Sequence, residues 1–546
     1  MNASSPGLRF EIVAPPGVPS PLRSDIAGFA GSTWRGPVGT LTRVTGWREY
    51  QRLFGGVVSD AITPYSARGY FLNGGDVAHV FRLLGPQATT AFGVWTIGIR
   101  DAAAAGGWSA ASPSVHGFLG QEYAVSASSP GRWANGTTIA FAYRLRGARG
   151  PEVDVTIVPP YEPPEYFTNL ATGEVHTVLN AQSAYVRVSP LGPAPSPPGA
   201  SPGPSHVDYS PTVLQSGADD PPSHAEYLAA TVALGDEPEV ALVAAPDIFT
   251  HLATGTSGTL ANRTDAAIEV LSGLIAQAER LHDRLVLVDL PPEGDTPVPA
   301  SDLVAWITSV GSRAQDKCPS VARVWRAAAA YHPPIQIPDA SGGIAHPLRT
   351  LPPSGHVGGA ISRLDRERGA HYTPANTVLL EAVDLTDAFD DGEERLLRDA
   401  GVNLLCCSPG RGLQVWGGRT LQIVDADGGA PVPIFLAHRR LIHRLVRAIR
   451  RVAEPLVFDT NGPHLWLTLV RAITAVLLEA FRAGALKGER EDEAFRVQCD
   501  ETTNPPEAID NGLCTCLIEF APAMPMEFIV LRVGLSRDGS IELVES

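Results

Sequence analysis

Few residue patterns in this chain are typical of catalysis or of nucleotide binding. The nearest glycine-rich loop, Ser408–Gly412, lacks both the lysine of a phosphate-binding loop and the third glycine of a dinucleotide fingerprint. It predicts a turn in which glycine adopts a positive φ. The sequence also has no GxSxG and no HExxH motif. We therefore predict no catalytic residue, no cofactor and no enzymatic activity.

The spacing of histidines and cysteines argues against a metal site. His438 and His443 are five residues apart on a predicted helix, so they point to different sides, and we interpret them as surface histidines. The six cysteines include no CxxC pair and are too few for a disulfide framework. We interpret the polar run Asp500–Asn504 as a cap or turn. The sequence thus predicts no metal site and a reduced, cytoplasmic environment.

The strongest local charge feature is a basic helix predicted over residues 434–453. Four of its arginines are spaced i, i+4, i+7 and i+11 from Arg440, which places them on one face. In a chain of net charge −16 this is a localised positive field. Three interpretations are open: a solvated stripe, a docking face for an acidic protein, or a nucleic-acid contact. The arginines are Arg439, Arg440, Arg444, Arg447, Arg450 and Arg451.

Composition narrows the class of protein. A length of 546 residues predicts three or four domains with cores of their own. Charged residues make up only 18% of the chain, which excludes a disordered polyelectrolyte. The 54 glycines and 48 prolines predict many turns and argue against an all-helical protein. The net negative charge argues against wrapping nucleic acid or coating an anionic membrane.

No targeting or membrane segment is predicted. The N terminus lacks a basic stretch followed by a long apolar run. Leu465–Leu486 is the most apolar stretch, but Arg471, Glu479 and Arg482 interrupt it. We therefore predict that the chain does not insert into a membrane.

Both ends of the chain predict strands with few local neighbours. Leu8, Phe10 and Ile12 alternate with polar residues, and the prolines that follow keep this arm extended. Further strands are predicted at 513–521, 527–534 and 541–544. Because a lone strand cannot bury its face, the N-terminal arm must join a sheet of its own chain or of a neighbour.

Periodicity and turn signals divide the chain into seven segments. In order they are an N-terminal arm (1–20), the first part of a middle α/β domain (21–89), an inserted β-rich domain (90–190), a Pro-rich linker or surface loop (191–222), the second part of the middle domain (223–335), a late core with the C-terminal domain (336–534), and a C-terminal arm (535–546).

Three element predictions bear on the fold. The buried strands Val240–Ala245 and Leu285–Leu290 flank a helix that begins at Asp265, which predicts parallel pairing. Weak helical periodicity in the inserted domain favours strands, one of them at Glu174–Leu179. A long amphipathic helix is predicted over 464–487.

Several stretches, in this order, resemble the tail sheath family of contractile phage tails, R-type bacteriocins and extracellular contractile injection systems. Near the start these are AGFAGSTWRGPVGTLTRVTGWREYQRLFGG and GYFLNGGDVAHVFRL, and in the middle SSPGRWANGTTIAF. Later come PPSGHVGGAISRLDRERGAHYTPAN, SPGRGLQVWGGRTL, VFDTNGPHLWLTLVRAITAVLLEAF and MEFIVLRV. The resemblance covers residues 21–85 and 317–535 well and 120–190 more loosely.

The resemblance implies an α+β multidomain fold. It would have an inner α/β C-terminal domain with strand-donating terminal arms, a middle α/β domain and an inserted outer β-rich domain. Sheath subunits stack helically around an inner tube in a metastable extended state and contract to drive the tube through a target envelope. The implied partners are further copies of the chain, the inner tube protein, and baseplate and terminal cap proteins, with no nucleic acid.

The resemblance also suggests roles for residues. The six arginines become candidates for docking on the inner tube. Strand exchange between subunits is the implied role of Leu8, Phe10, Ile12, Phe528, Val530, Ile541 and Leu543. Such a particle would assemble in the cytoplasm of the producing cell and then be released or stay membrane-attached. Whether it is a phage tail, a bacteriocin or an injection system stays open.

Two alternatives remain. The chain could be another structural part of a tail, such as a baseplate or terminator protein. It could also be a nucleotide-binding α/β enzyme built on the strands Val240–Ala245 and Leu285–Leu290. That enzyme would need a phosphate loop after its first strand, which Asp247–Thr250 does not supply.

Overall fold

The computed structural model describes residues 23–101, 108–109, 121–146, 150–171, 173–193, 204–208, 212–253, 259–292, 298–321, 323–341, 347–386, 389–408, 410–421, 435–523, 529–535 and 541–545. They form an α/β unit with a large central sheet, a β-rich domain inserted into that unit, and a smaller C-terminal unit. Helices and strands are mixed throughout, as the sequence predicts.

An eight-stranded sheet forms the centre of the α/β unit. Its six inner strands run parallel, and each edge strand is antiparallel to its neighbour. The predicted parallel pairing of the strands near residues 242 and 285 is confirmed. In pairing order the strands are Leu41–Val44, Ala78–Arg82, Ala27–Gly31, Leu242–Ala244, Leu285–Asp289, Ala328–His332, Val402–Ser408 and Gly412–Trp416.

Helices cover both faces of this sheet, so its inner strands are apolar and buried. One face is covered by His224–Asp236, Ile248–Leu252, Leu260–Arg263, Asp265–Leu281, Ala300–Lys317, the short 3₁₀ helix Val324–Ala327 and Asp391–Asp399. The other face is covered by Trp47–Phe54, Thr63–Leu72, Ser354–Glu367 and a small sheet of Leu348–Leu351, Ile335–Pro338 and Asp384–Leu385.

Two of these helices approach so closely that glycine is required at the contact. A Cβ atom on Gly355 would lie 2.3 Å from the carbonyl oxygen of Ser66, and one on Gly359 would lie 2.3 Å from that of Tyr70. Any side chain there would push the helices Thr63–Leu72 and Ser354–Glu367 apart.

The chain's own carboxylates bind the N termini of the same two helices. Asp247, which follows the strand Leu242–Ala244, accepts hydrogen bonds from the backbone N–H of Ile62 and Thr63 at 2.6 and 3.0 Å. Asp289 accepts from the N–H and hydroxyl of Ser354 at 3.0 and 2.6 Å. In nucleotide-binding α/β folds a phosphate takes such a position beyond the carboxyl ends of the strands.

The inserted domain consists of two antiparallel sheets around a core that includes Tyr123, Trp133 and Phe141. In pairing order, the first sheet contains Val186–Pro193, Gln121–Ala127, Phe92–Asp101 and Pro204–Asp208, with Trp108–Ser109 beside Phe92–Asp101. The second contains Thr212–Val213, Thr138–Arg146, Gly150–Val158 and Glu165–Ala171. A 3₁₀ helix, Arg132–Ala134, completes the domain.

Two sequence predictions for this domain are wrong. The segment Glu174–Leu179 forms no strand but lies in the helix Val175–Gln182, because Val175 and Leu179 reach the core one turn apart. The segment 191–222 is not only a linker, since the strands Pro204–Asp208 and Thr212–Val213 within it complete the two sheets. The prolines of this segment argued against strands in the sequence, but proline is tolerated in edge strands such as these.

The C-terminal unit contains two long helices and an antiparallel sheet. The helices are Leu436–Ala453, followed by the 3₁₀ turn Glu454–Leu456, and Pro463–Arg482. In pairing order the strands are Phe495–Gln498, Cys514–Phe520, Ile529–Leu535 and Ile541–Glu545. The short helix Glu491–Ala494 precedes the first of these strands, and Pro506–Asp510 connects the first strand to the second.

The predicted domain boundary at residue 336 differs from the structure. Val402–Ser408 pairs with Ala328–His332, so the chain stays in the central sheet as far as Gly412–Trp416. Pairing between strands about 70 residues apart leaves no mark in local composition.

The helix Pro463–Arg482 is long and apolar enough to cross a membrane, judged by length and composition alone. Core helices of globular proteins often pass the same test. Here Leu469, Ile473 and Leu477 pack in the core of the C-terminal unit.

Candidate functional site

The helix Leu436–Ala453, called the arginine helix below, joins the C-terminal unit to the α/β unit. Leu441, Leu445 and Ile449 pack on one side in the core of the C-terminal unit. On the other side its arginines reach into the α/β unit. The helix is therefore buried nearly all round although it carries six positive charges.

Arg439 forms an ion pair with a carboxylate that is completely buried. Its Nη2 donates to Glu279 Oε2 at 2.6 Å, and Glu279 is 0% exposed. Glu279 lies on the helix Asp265–Leu281 and also accepts from Nε and Nη2 of Arg326 at 3.0 and 2.8 Å. One carboxylate thus binds two guanidinium groups inside the molecule.

Arg440 forms the second buried pair, with Asp365 of the helix Ser354–Glu367. Both guanidinium Nη atoms donate to the carboxylate, Nη1 at 2.5 Å to Oδ1 and Nη2 to Oδ2. Each side chain is 3% exposed. Arg440 also donates to the carbonyl oxygen of Ser24, and the hydroxyl of Ser24 donates to Asp365. The first described residues of the chain are therefore held at the same point.

Arg447 binds to the backbone of the α/β unit, and Arg450 binds there to a carboxylate and to the carbonyl oxygen of Leu281. Arg447 donates to four carbonyl oxygens, those of Pro238 and Glu239 at 2.8 Å and those of Val240 and Asp283 at 3.1 and 3.2 Å. Burial lowers the pKa of Arg447 to about 10, so it stays charged at neutral pH. Arg450 donates to the Asp283 carboxylate at 2.9 Å.

These contacts correct the prediction that the six arginines form an external docking face. Arg439, Arg440 and Arg447 are at most 2% exposed and are used inside the chain. Arg444 and Arg450 are half-buried, and only Arg451 is exposed, paired at 3.3 Å with the neighbouring Glu454. Helical spacing alone does not specify whether a charged face is buried or exposed.

His438 and His443 are also buried rather than on the surface, at 5% and 3% exposure. His443 lies among Arg439, Arg440 and Arg447. Burial and these positive charges, with His282, hold the pKa of His443 well below its usual value. His443 is therefore neutral near pH 7.

Sequence reasoning missed the acidic partners of the arginine helix. Glu279 lies four residues after Ile275 on the apolar face of its helix, which was a usable signal of a buried carboxylate. Asp365 carried the same signal, because it lies four residues after Ile361 on the buried face of the helix Ser354–Glu367.

The C-terminal sheet holds three of the seven residues predicted to exchange strands. Val530 lies in Ile529–Leu535, while Ile541 and Leu543 lie in Ile541–Glu545, which pairs with that strand. In this chain both strands extend the sheet of their own molecule. Ile541–Glu545 is an edge strand, so its outer side has no strand partner within the described part of the chain. Leu8, Phe10, Ile12 and Phe528 lie outside the described residues.

Two loop predictions have clear structural counterparts. Gly410 and Gly412 have φ values of 77° and 80° in the hairpin between Val402–Ser408 and Gly412–Trp416. The carboxylate of Asp500 accepts from the N–H groups of Thr502 and Thr503 at 2.8 and 3.3 Å, which is a turn.

Comparison with known proteins gives this fold a family context. Residues 302–421 match the model for the phage tail sheath protein central domain. The tail sheath protein of Vibrio phage KVP40 is 29% identical over 199 residues, which cover 35% of this chain and 27% of the phage protein. The chain thus spans about a quarter of the length of this relative.

Solved structures extend the likeness to nearly the whole chain. A sheath tail protein from Listeria innocua covers 94% of this chain and 96% of its own, with a TM-score of 0.60 and 12% identity. The helical sheath of the anti-feeding prophage in its contracted state covers 96% and 98%, with a TM-score of 0.52 and 18% identity. The predicted resemblance to contractile tail sheath proteins is confirmed, and the chain has their fold.

We expect the single substitution Arg440→Met to lower the free energy of unfolding by about 3–5 kcal/mol, because it leaves the Asp365 carboxylate buried without its partner. Chemical denaturation of the purified chain would measure the loss. Arg451→Met, on the exposed end of the same helix, is the matched control and should change it by less than about 0.5 kcal/mol.

The double variant Arg440→Met with Asp365→Leu tests the cause. It removes both charges together and should recover most of the lost free energy. If the double variant is as unstable as the single one, the pair is not the reason for the loss.

The pH dependence of stability should report His443. In the unfolded chain the pKa of His443 is near the ordinary histidine value of about 6.5, and in the folded chain it is lower. Below about pH 6.5 the unfolded state therefore binds a proton that the folded state does not. Stability is therefore lost as pH falls below about 6.5, with a slope of at most about 1.4 kcal/mol per pH unit. His443→Gln should remove this part of the slope, whereas His464→Gln, on an exposed helix position, should retain it. Equal slopes in both variants would contradict the assignment.

Proposed function

We propose that this chain is the sheath subunit of a contractile injection machine. It polymerises helically around an inner tube in a metastable extended state and contracts to drive the tube through a target envelope. The observation that carries the proposal is the fold likeness to sheath proteins over 94–96% of the chain. The family match at residues 302–421 lies in the α/β unit, where the central sheet and the small sheet are built.

The arginine helix suits the mechanical part of this proposal. Contraction requires subunits to move relative to one another while each one transmits force. The buried pairs Arg439–Glu279 and Arg440–Asp365 resist separation of the C-terminal unit from the α/β unit, because either charge would be left alone in the core. The two units therefore move as one rigid body, and the conformational change occurs at the contacts between subunits.

Those connections are expected to be strand additions. The outer side of Ile541–Glu545, which has no strand partner within the described residues, offers backbone groups to an extended segment of another copy. The N-terminal arm, with Leu8, Phe10 and Ile12 on one side, is the segment of this chain with the matching alternation. A backbone ladder of this kind keeps its hydrogen bonds while the residues flanking it absorb the rotation of the subunit.

The energy for contraction would be conformational and stored at assembly, so the subunit needs no nucleotide. Asp247 and Asp289 already bind the N termini of the helices Thr63–Leu72 and Ser354–Glu367. This arrangement favours the sheath proposal over the alternative of a nucleotide-binding enzyme.

The proposed partners are further copies of the chain, an inner tube protein, a baseplate and a terminal cap protein. A similarly folded chain comes from the baseplate structure of the anti-feeding prophage, which supports contact with a baseplate. The particle would assemble in the cytoplasm of the producing cell. The inserted β-rich domain would lie on its outer surface.

Electron microscopy of the purified full-length chain tests the proposal. We expect hollow helical tubes of uniform diameter, as the subunits add to one another through their strand edges. A chain that stays monomeric over the whole range of concentration and salt, or that forms only closed rings, would contradict a sheath role.

The N-terminal arm can be tested separately. Phe10→Pro removes a backbone N–H and interrupts strand pairing, so we expect a soluble subunit that no longer forms tubes. Phe10→Val retains a strand-forming residue and is the matched control, which should polymerise like the natural chain. Deletion of residues 1–20 should have the same effect as Phe10→Pro. Tubes of normal length from the proline variant or the deletion would contradict the role of the arm.

A further inference from the structure

Three cysteine side chains meet in the core of the C-terminal unit. Cys499 follows the strand Phe495–Gln498, and Cys514 and Cys516 lie two residues apart on the core side of the next strand. Their three Sγ atoms all lie within 4.8 Å of one another, and Cys499 Sγ is 3.9 Å from Cys514 Sγ. All three residues are buried, at 9%, 3% and 2% exposure.

The 3.9 Å separation of Cys499 Sγ and Cys514 Sγ matches that of thiolates around a single metal ion, and the third sulfur is close enough to join them. With metal–sulfur bonds of about 2.3 Å, tetrahedral geometry places the sulfur atoms about 3.8 Å apart, and a planar three-coordinate site places them about 4.0 Å apart. A disulfide needs sulfur atoms about 2.05 Å apart, so bonding Cys499 to Cys514 would require the side chains to move.

The surroundings of Cys499 are suited to a charged sulfur. Asn504 is 1% exposed, and its Nδ2 lies 3.7 Å from Cys499 Sγ, within reach of the sulfur, while it also donates to oxygen acceptors at 2.9–3.1 Å. The same amide is held by the backbone of Thr515, because its Oδ1 accepts from the Thr515 N–H at 2.6 Å. A fixed N–H donor to a ligand atom orients that ligand and stabilises its negative charge.

A route from solvent reaches the cluster. Cys499 lines an open groove of about 580 Å³ together with Trp466, Asp500 and Thr502. A metal ion could therefore enter a site that otherwise lies in the hydrophobic core of the C-terminal unit.

We propose that Cys499, Cys514 and Cys516 bind one soft, thiophilic metal ion, Zn(II) or Cu(I). Three sulfur ligands favour these ions over hard cations such as Mg(II) or Ca(II). No histidine or carboxylate joins the three thiols within the described residues. Cu(I) would be three-coordinate, whereas Zn(II) would take a water from the groove as its fourth ligand. On binding, the three S–H groups release their protons to solvent and three metal–sulfur bonds form.

Such an ion would fasten the turn 499–504 to the strand Cys514–Phe520. That strand pairs directly with Ile529–Leu535, which in turn carries the edge strand Ile541–Glu545. The metal would thus brace the sheet whose edge is available for subunit contacts. The site itself does not depend on the proposed sheath function.

Metal titration of the reduced full-length chain tests this proposal. Zn(II) and Cu(I) are added in separate arms against a competing chelator, and bound metal is measured after dialysis. We expect one equivalent per chain of at least one ion. Cys516→Ser should weaken binding by more than the roughly 10–100-fold that is typical for loss of a hydrogen-bond partner of a ligand. Cys407→Ser, at an exposed position outside the cluster, should bind like the natural chain.

Cobalt substitution in the natural chain keeps the test decisive if Cys516→Ser fails to fold. Bound Co(II) should give the intense thiolate-to-metal charge-transfer absorption of a three-thiolate site at one equivalent. The proposal is overturned if the natural chain binds neither Zn(II) nor Cu(I) stoichiometrically and gives no such absorption, or if a folded Cys516→Ser variant binds as tightly as the natural chain. None of these outcomes bears on whether the chain forms tubes.

Discussion

The need to neutralise buried charge on the arginine helix governs how this molecule is put together. Arg439, Arg440 and Arg447 lie in the interior, where an unpaired guanidinium would be very costly. Each is therefore matched by groups of the α/β unit: Glu279, Asp365 and a set of four backbone carbonyl oxygens. An apolar interface could slide between several packings, but these pairs accept only one position of the C-terminal unit.

The same physical rule operates in the central sheet. Asp247 and Asp289 are buried carboxylates, and each is satisfied by the N terminus of a helix on one face of the sheet. Gly355 and Gly359 let those helices pack against each other in direct backbone contact. Polar groups therefore fix the positions of the helices, and apolar side chains fill the space between the helices.

Because buried ion pairs fix the two units to each other, structural change costs least free energy at the edges of the sheets. The edge strand Ile541–Glu545 belongs to the C-terminal sheet, which the arginine helix couples to the central sheet. In a sheath, a moving neighbouring subunit would exert force on that edge strand without separating the buried ion pairs. In the sheath function proposed above, the interior would stay rigid and the strand edges would adapt.

The parts of the fold that depend on local pattern could be predicted from the amino-acid sequence. Periodicity located the arginine helix, the helix Pro463–Arg482 and the parallel strands near residues 242 and 285, because their apolar spacing is a property of neighbouring residues. The order of motifs gave the resemblance to sheath proteins.

Only the tertiary structure shows which side of the arginine helix is buried, since Arg439 and Glu279 are 160 residues apart and Arg440 and Asp365 are 75 apart. Helical spacing tells which arginines share a face, but the burial of that face depends on carboxylates brought there by distant segments. For the same reason the cysteine cluster forms only when folding brings Cys499 against the strand that carries Cys514 and Cys516.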